Sequence, residues 1–229
     1  MRVLLTLLLA LGAFQSYAQG YAAVGFSVAR FNLEGLNNVI QDYNEARPWL
    51  DKQSQEFGNL SGLSLQFGAV EGVWLDWTAN FRRQKRTSYG IEPNKGKMTR
   101  DLKVRNVNTA LTVGGAFPTG DAALAIGLRG ELSTFRMMSR VYGENETKGI
   151  YAGVGSNNFL VGIGPTFKLF AGEEGMFIVS VYYAHTLPKL NWADLGNNLN
   201  PTTTSTNKER YDTKNHAFGF TIAIGRFVD

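Results

Sequence analysis

Phe218-Gly219-Phe220-Thr221-Ile222-Ala223-Ile224-Gly225 alternates without a break between large apolar and small side chains. A period of two places successive side chains on opposite faces of an extended strand. Phe218, Phe220, Ile222 and Ile224 therefore share one face, and Gly219, Thr221, Ala223 and Gly225 the other. The alternation spans about Lys214 to Phe227, so the chain closes on one long two-faced strand.

Working back from this stretch, the same period recurs in seven more segments: about Tyr21 to Arg30, Leu60 to Val70, Val73 to Arg86, Arg100 to Phe117, Ala122 to Ser139, Asn158 to Phe170 and Met176 to Leu187. In the second, Leu63, Leu65, Phe67 and Ala69 oppose Gly62, Ser64, Gln66 and Gly68; in the fifth, Leu124, Ile126, Leu128 and Leu132 oppose Ala125, Gly127, Arg129, Glu131 and Ser133. Tight turns join segments two to three (Glu71-Gly72), four to five (Pro118-Thr119-Gly120-Asp121) and six to seven (Ala171 to Gly175), while the other four connections read as long. Short turns on one side and long loops on the other, with an even strand number, are the pattern of a bacterial outer-membrane barrel.

Parity also decides which face meets which solvent. A soluble ligand-binding barrel keeps its large apolar residues inside. Here the smaller face is Gly, Ala, Ser, Thr and Asn with a few charges, which suits the crowded polar lumen of a small membrane barrel. Asp76, Arg82, Arg129, Glu131 and Lys168 all fall on it, where a cation avoids the ~2–4 kcal/mol penalty of the lipid midplane. The expected fold is all-β: an eight-stranded antiparallel transmembrane β-barrel.

The flanks and the composition agree. Met1-Arg2, the apolar run Val3 to Phe14 and then Gln15-Ser16-Tyr17-Ala18 read as a secretory leader cleaved after Ala18. That run is short of the ~20 residues a spanning helix needs. Residues 19–229 are then one barrel domain. With no cysteine there is neither a lipidation site nor a disulfide framework. At 44% hydrophobic and 18% charged, the chain is too polar for a bundle of membrane helices.

Eight alternating segments, three tight turns and an aromatic-rich last strand resemble the small eight-stranded outer-membrane barrels, the family of the OmpA transmembrane domain and OmpX, and the porin-family barrels abundant in Bacteroidota. The resemblance is architectural and covers about Gln19 to Asp229. It implies bacterial outer-membrane localisation and no particular activity. Family barrels commonly end in an aromatic residue; here Phe227 stands two positions inside the end. A peptidoglycan-anchoring role of the two-domain kind is not expected.

Three features carry candidate chemistry. In the first outer loop, Leu33, Leu36, Ile40 and Tyr43 fall on one face of a helix with Asn32 as a candidate N-cap and Pro48 as terminator, an amphipathic segment for the barrel mouth or for a partner. From Arg82 to Arg105 there are nine basic residues against Glu92 and Asp101. Of these, Arg83, Lys85, Arg86, Lys95, Lys97 and Arg100 are the expected contacts to lipopolysaccharide phosphates or to an acidic partner, at the tip of an outer hairpin. His185 and His216, the two histidines, would be near-neighbours across the last two strands. Lipid A-modifying barrels carry a catalytic histidine near the outer rim, but Ala184-His185-Thr186 lacks the His-x-Ser pairing of the deacylases.

The expected function is a non-enzymatic scaffold contacting lipopolysaccharide, a partner protein or a larger outer-membrane complex. A lipid A-modifying enzyme using His185 or His216 is the alternative, and a narrow channel the second. No metal site, cofactor or nucleic-acid partner is expected.

Overall fold

The computed structural model describes residues 19–172, 175–200 and 208–228. The leader read at Met1 to Ala18 lies outside the described residues. Eight long strands follow one another: β1 (Gln19–Phe31), β2 (Asn59–Glu71), β3 (Val73–Glu92), β4 (Gly96–Thr119), β5 (Ala122–Gly143), β6 (Asn158–Ala171), β7 (Met176–Leu187) and β8 (His216–Val228). Each pairs antiparallel with its sequence neighbours, and β1 pairs with β8, so the sheet closes on itself without an edge.

One lateral row runs from Gln19 through Val70, Trp74, Gly114, Gly127, Thr166, Tyr182 and Gly219 to Ala29. The circuit returns to β1 ten residues above its start (29 − 19), and this shear is what tilts the strands in a closed barrel.

Polarity is inverted relative to a soluble fold. Leu111, Phe26 and Ile224 on the outer face are 61%, 56% and 66% exposed, whereas Asn108, Arg129 and Ser64 are buried inside. On β4 the outward apolar residues run from Phe117 to Val107. Those ten steps cover ~33 Å along the strand, or about 25 Å along the barrel axis at ~40° tilt, the height of a lipid-facing belt.

The interior is filled in three layers. The periplasmic end holds an apolar cluster of Tyr21, Trp74, Phe170, Met176 and Ile178. Polar and charged side chains occupy the middle. The outer mouth is closed by a second apolar cluster, in which Leu33, Leu36, Val39, Ile40 and Tyr43 pack on Phe31, Leu102, Phe135 and Met137. Leu36, Val39, Ile40 and Tyr43 come from α1 (Glu34–Glu45) and Leu33 immediately precedes it, and α2 (Ala193–Leu199) adds Leu195 and Leu199 to the same plug.

The structure corrects three expectations. The second outer connection, β3 to β4, is not a long loop: the two strands stay paired to Glu92 and Gly96, leaving only residues 93–95 as the turn. Asn94 (φ 70°) and Gly96 (φ 78°) supply the left-handed conformations, and the Lys95 N–H donates to Glu92 O at 3.1 Å. α1 is capped at Leu33 rather than Asn32, although Asn32 Oδ1 still accepts the Glu34 N–H at 3.2 Å. The last strand starts at His216, two residues late, because Asp212–Thr213 pairs instead with Leu190–Asn191.

Candidate functional site: an outward cation ladder

Because β3, β4 and β5 continue to pair above the apolar belt, their alternation continues too, and outward-facing residues fall into cross-strand rows. Phe81 and Val107 form the last apolar row on β3 and β4. The next outward row is Arg83↔Arg105↔Arg136, followed by Lys85↔Lys103↔Met138 and by Thr87↔Asp101↔Arg140. Direct cross-strand partners have Cβ atoms ~4.5–5.5 Å apart, and like charges so placed destabilise. Even in water, two unit charges ~5 Å apart repel by about 1 kcal/mol, and less where the long side chains splay apart.

A single carboxylate offsets part of this. Asp101 is fully buried under the upper rows, where it accepts a hydrogen bond from Thr87 Oγ1 (2.7 Å) and ion-pairs with Lys85 (3.0 Å) and Arg140 (2.7 Å). Burial by itself would raise its carboxyl, but the Thr87, Arg140 and Lys85 hydrogen bonds outweigh burial and hold it below the usual carboxylate range. Lys103, above the belt, is depressed by desolvation first and then by Arg105, Arg83, Arg140 and Lys85. It leans over the Tyr151 ring (5.2 Å), as does Arg140 (4.4 Å). Among the described residues, no carboxylate lies within ion-pair distance of Arg83, Arg105 or Arg136.

The six basic residues expected to act together do not share one face. Arg83 and Lys85 stand on the ladder. Arg86 turns over the rim to Glu56 O (2.8 Å), and Arg100 lies over the Tyr43 ring (5.3 Å). Lys95 pairs with Glu92 at the turn (2.8 Å) and Lys97 with Glu144 (2.7 Å). Lys103 and Arg105 lay within the counted segment without being singled out, and Arg136 lay outside it. Carrying the parity of Leu132 and Thr134 two residues further would have put Arg136 on the outer face.

The lumen residues form separate networks. Lys168 ion-pairs with Asp76 and donates to Gln66 Oε1 (2.9 Å), while the Tyr21 hydroxyl donates to Asp76 Oδ2 (2.8 Å). Arg129 pairs with Glu131 (3.0 Å) and donates to Asn108 Oδ1 (2.7 Å). Arg82 donates to Ser27 Oγ and to the Tyr182 hydroxyl (2.8 Å).

His185 and His216 are direct cross-strand partners on the outer face, with the Tyr183 ring stacked on His216 (6.3 Å between centroids). Among the described residues, no carboxylate hydrogen-bonds either imidazole, and no group of three His, Cys, Asp or Glu forms a metal cluster.

A closed ring of eight antiparallel strands, apolar outside and polar within, is a small outer-membrane β-barrel, and the protein is a multi-pass protein of the bacterial outer membrane. No family model and no curated protein matches the chain. Among solved structures, it is similar to OprG from Pseudomonas aeruginosa, with 12% identity over 92% of this chain and 96% of that one at a TM-score of 0.47. It is also similar to Ail of Yersinia pestis (11%, 92% and 99%, TM-score 0.45) and to Neisserial surface protein A (9%, 91% and 97%, TM-score 0.39).

Proposed function

We propose that the protein is a non-enzymatic outer-membrane scaffold whose cation ladder on β3, β4 and β5 holds phosphate groups of outer-leaflet lipopolysaccharide. The observation that carries this reading is the row Arg83–Arg105–Arg136, three guanidinium groups directly above the apolar belt with no carboxylate among the described residues within ion-pair distance. Guanidinium groups match phosphate oxygens two at a time, and each cation near an anionic surface adds about 1 kcal/mol. An anion bound across the row also removes the repulsion the row carries when empty.

The filled lumen and plugged mouth support a scaffold over a channel. An enzyme centred on His185 or His216 would need a group to orient the imidazole, and no described carboxylate does so.

The test is the triple variant Arg83→Gln/Arg105→Gln/Arg136→Gln, purified alongside Lys95→Gln/Lys97→Gln, a control that removes two cations at the turn. The ladder variant is expected to lose co-purified lipopolysaccharide, with the native protein's retention weakening as salt rises, while the turn variant keeps it. Equal lipid on all three proteins at low and high salt would end this reading.

A further inference from the structure

We infer that a groove in the outer wall, centred on Gly130 below the ladder, seats one acyl chain of the same phosphate-bearing lipid. The headgroup half of this inference rests on the function proposed above; the groove itself rests on shape.

Gly130 faces outward on β5, between Leu128 and Leu132 along the strand and opposite Leu111 on β4 and Ile163 on β6. All four neighbours are large and at least half exposed. One missing side chain among them leaves a dent that widens into a groove of about 760 Å³, walled by Trp77, Leu111, Leu132, Val161, Ile163 and Leu187, with His185 at its edge. An ideal Cβ built on Gly130 meets nothing within 4 Å, and its backbone is not in the left-handed region. The position therefore needs glycine neither for packing nor for conformation; what glycine leaves there is room.

The far wall is held in place. Trp77 Nε1 donates to Thr109 Oγ1 (2.8 Å), and the indole stacks on Phe67 at 5.8 Å. A fixed apolar wall loses little freedom when a flexible chain settles against it.

The dimensions and the charge select the occupant. From Arg105 on the ladder down to Leu111 at the level of Gly130 is six residues along β4. That is ~20 Å of strand, or about 15 Å along the membrane normal at ~40° tilt, half the ~30 Å hydrocarbon core. A chain whose tip sits in the groove and which follows β5 outward past Leu132 and Thr134 thus has its headgroup at the level of Arg105 and Arg136, for which no described carboxylate lies within ion-pair distance. A lipid with a neutral headgroup would use the groove and leave the ladder empty. A phosphate-bearing outer-leaflet lipid uses both.

The experiment is native mass spectrometry of the full barrel in detergent with two probes, bisphosphorylated hexa-acyl lipid A and its fully deacylated bisphosphorylated disaccharide. Gly130→Leu fills the groove and Arg105→Gln/Arg136→Gln removes the two cations of the lowest ladder row that stand on β4 and β5. Heat-modifiable gel migration verifies that each variant has folded, and Gly130→Ala serves as the near-silent control. Gly130→Leu is expected to lower lipid A retention about tenfold and to leave the disaccharide unchanged, while the arginine variant lowers both. Unchanged lipid A on Gly130→Leu overturns the groove, and the ladder reading survives if the arginine variant still loses both probes. Loss of lipid A on Gly130→Leu, with both probes unchanged on the arginine variant, overturns the shared-lipid inference and the ladder together.

Discussion

Replacing Lys168 by Met would strand the Asp76 carboxylate inside the barrel. Both side chains are buried (3% and 1% exposed), and after the change Asp76 keeps, among the described residues, only the Tyr21 hydroxyl as donor. Removing one partner of a buried ion pair typically costs ~3–5 kcal/mol. The double variant Asp76→Asn/Lys168→Met carries no stranded charge and should stay within about 1 kcal/mol of the native protein. Urea unfolding of the barrel in lipid vesicles, followed by tryptophan emission, measures this directly, because Trp74 lies 5.0 Å from the Lys168 Nζ. A single variant within 1 kcal/mol of native, or a double variant as destabilised as the single one, would refute the argument.

Two further outcomes are expected. Asp101 is held below the usual carboxylate range, so its contribution is complete above that range and is lost as pH falls through its depressed folded value. Amide-exchange protection in the β3–β4 extension, corrected for intrinsic rates, should be level from pH 8 to about 5 and drop below about 4, whereas Asp101→Asn should lower it at every pH; protection equal to native at pH 7 would remove Asp101 from its role. Gly25→Val would bring a Cβ to 2.1 Å from Ile222 O and 2.6 Å from Ala223 Cα across the β1–β8 seam, contacts that backbone cannot relieve, so the unboiled variant should migrate as unfolded protein. Compact migration of Gly25→Val would show that the seam can open to admit a side chain.

How much was legible in the sequence depended on where each residue sits relative to the membrane. Within the belt, each strand has lipid on one side and a polar lumen on the other, so selection by two unlike solvents writes a strict period of two. The starts of β3 at Val73, β5 at Ala122, β6 at Asn158 and β7 at Met176 could accordingly be read directly, as could the sidedness of Asp76, Arg129, Glu131 and Lys168. The 3.6-residue period placed Leu36, Ile40 and Tyr43 together, and all three are buried in the mouth plug.

Above the belt the outer face meets water and headgroups, polar residues are tolerated on both sides, and the pattern that marks a strand fades. The run from Arg86 to Arg100 therefore read as a loop with a charged tip, although the backbone goes on pairing to Glu92 and Gly96. Parity could turn Arg83 and Arg105 outward, but only the pairing of β3 with β4 could set them side by side, and only the pairing of β4 with β5 could set Arg136 beside Arg105, 31 residues away in the chain (136 − 105). Composition along the chain reports the solvent each side chain meets, whereas which cations stand side by side is decided by hydrogen bonds between strands.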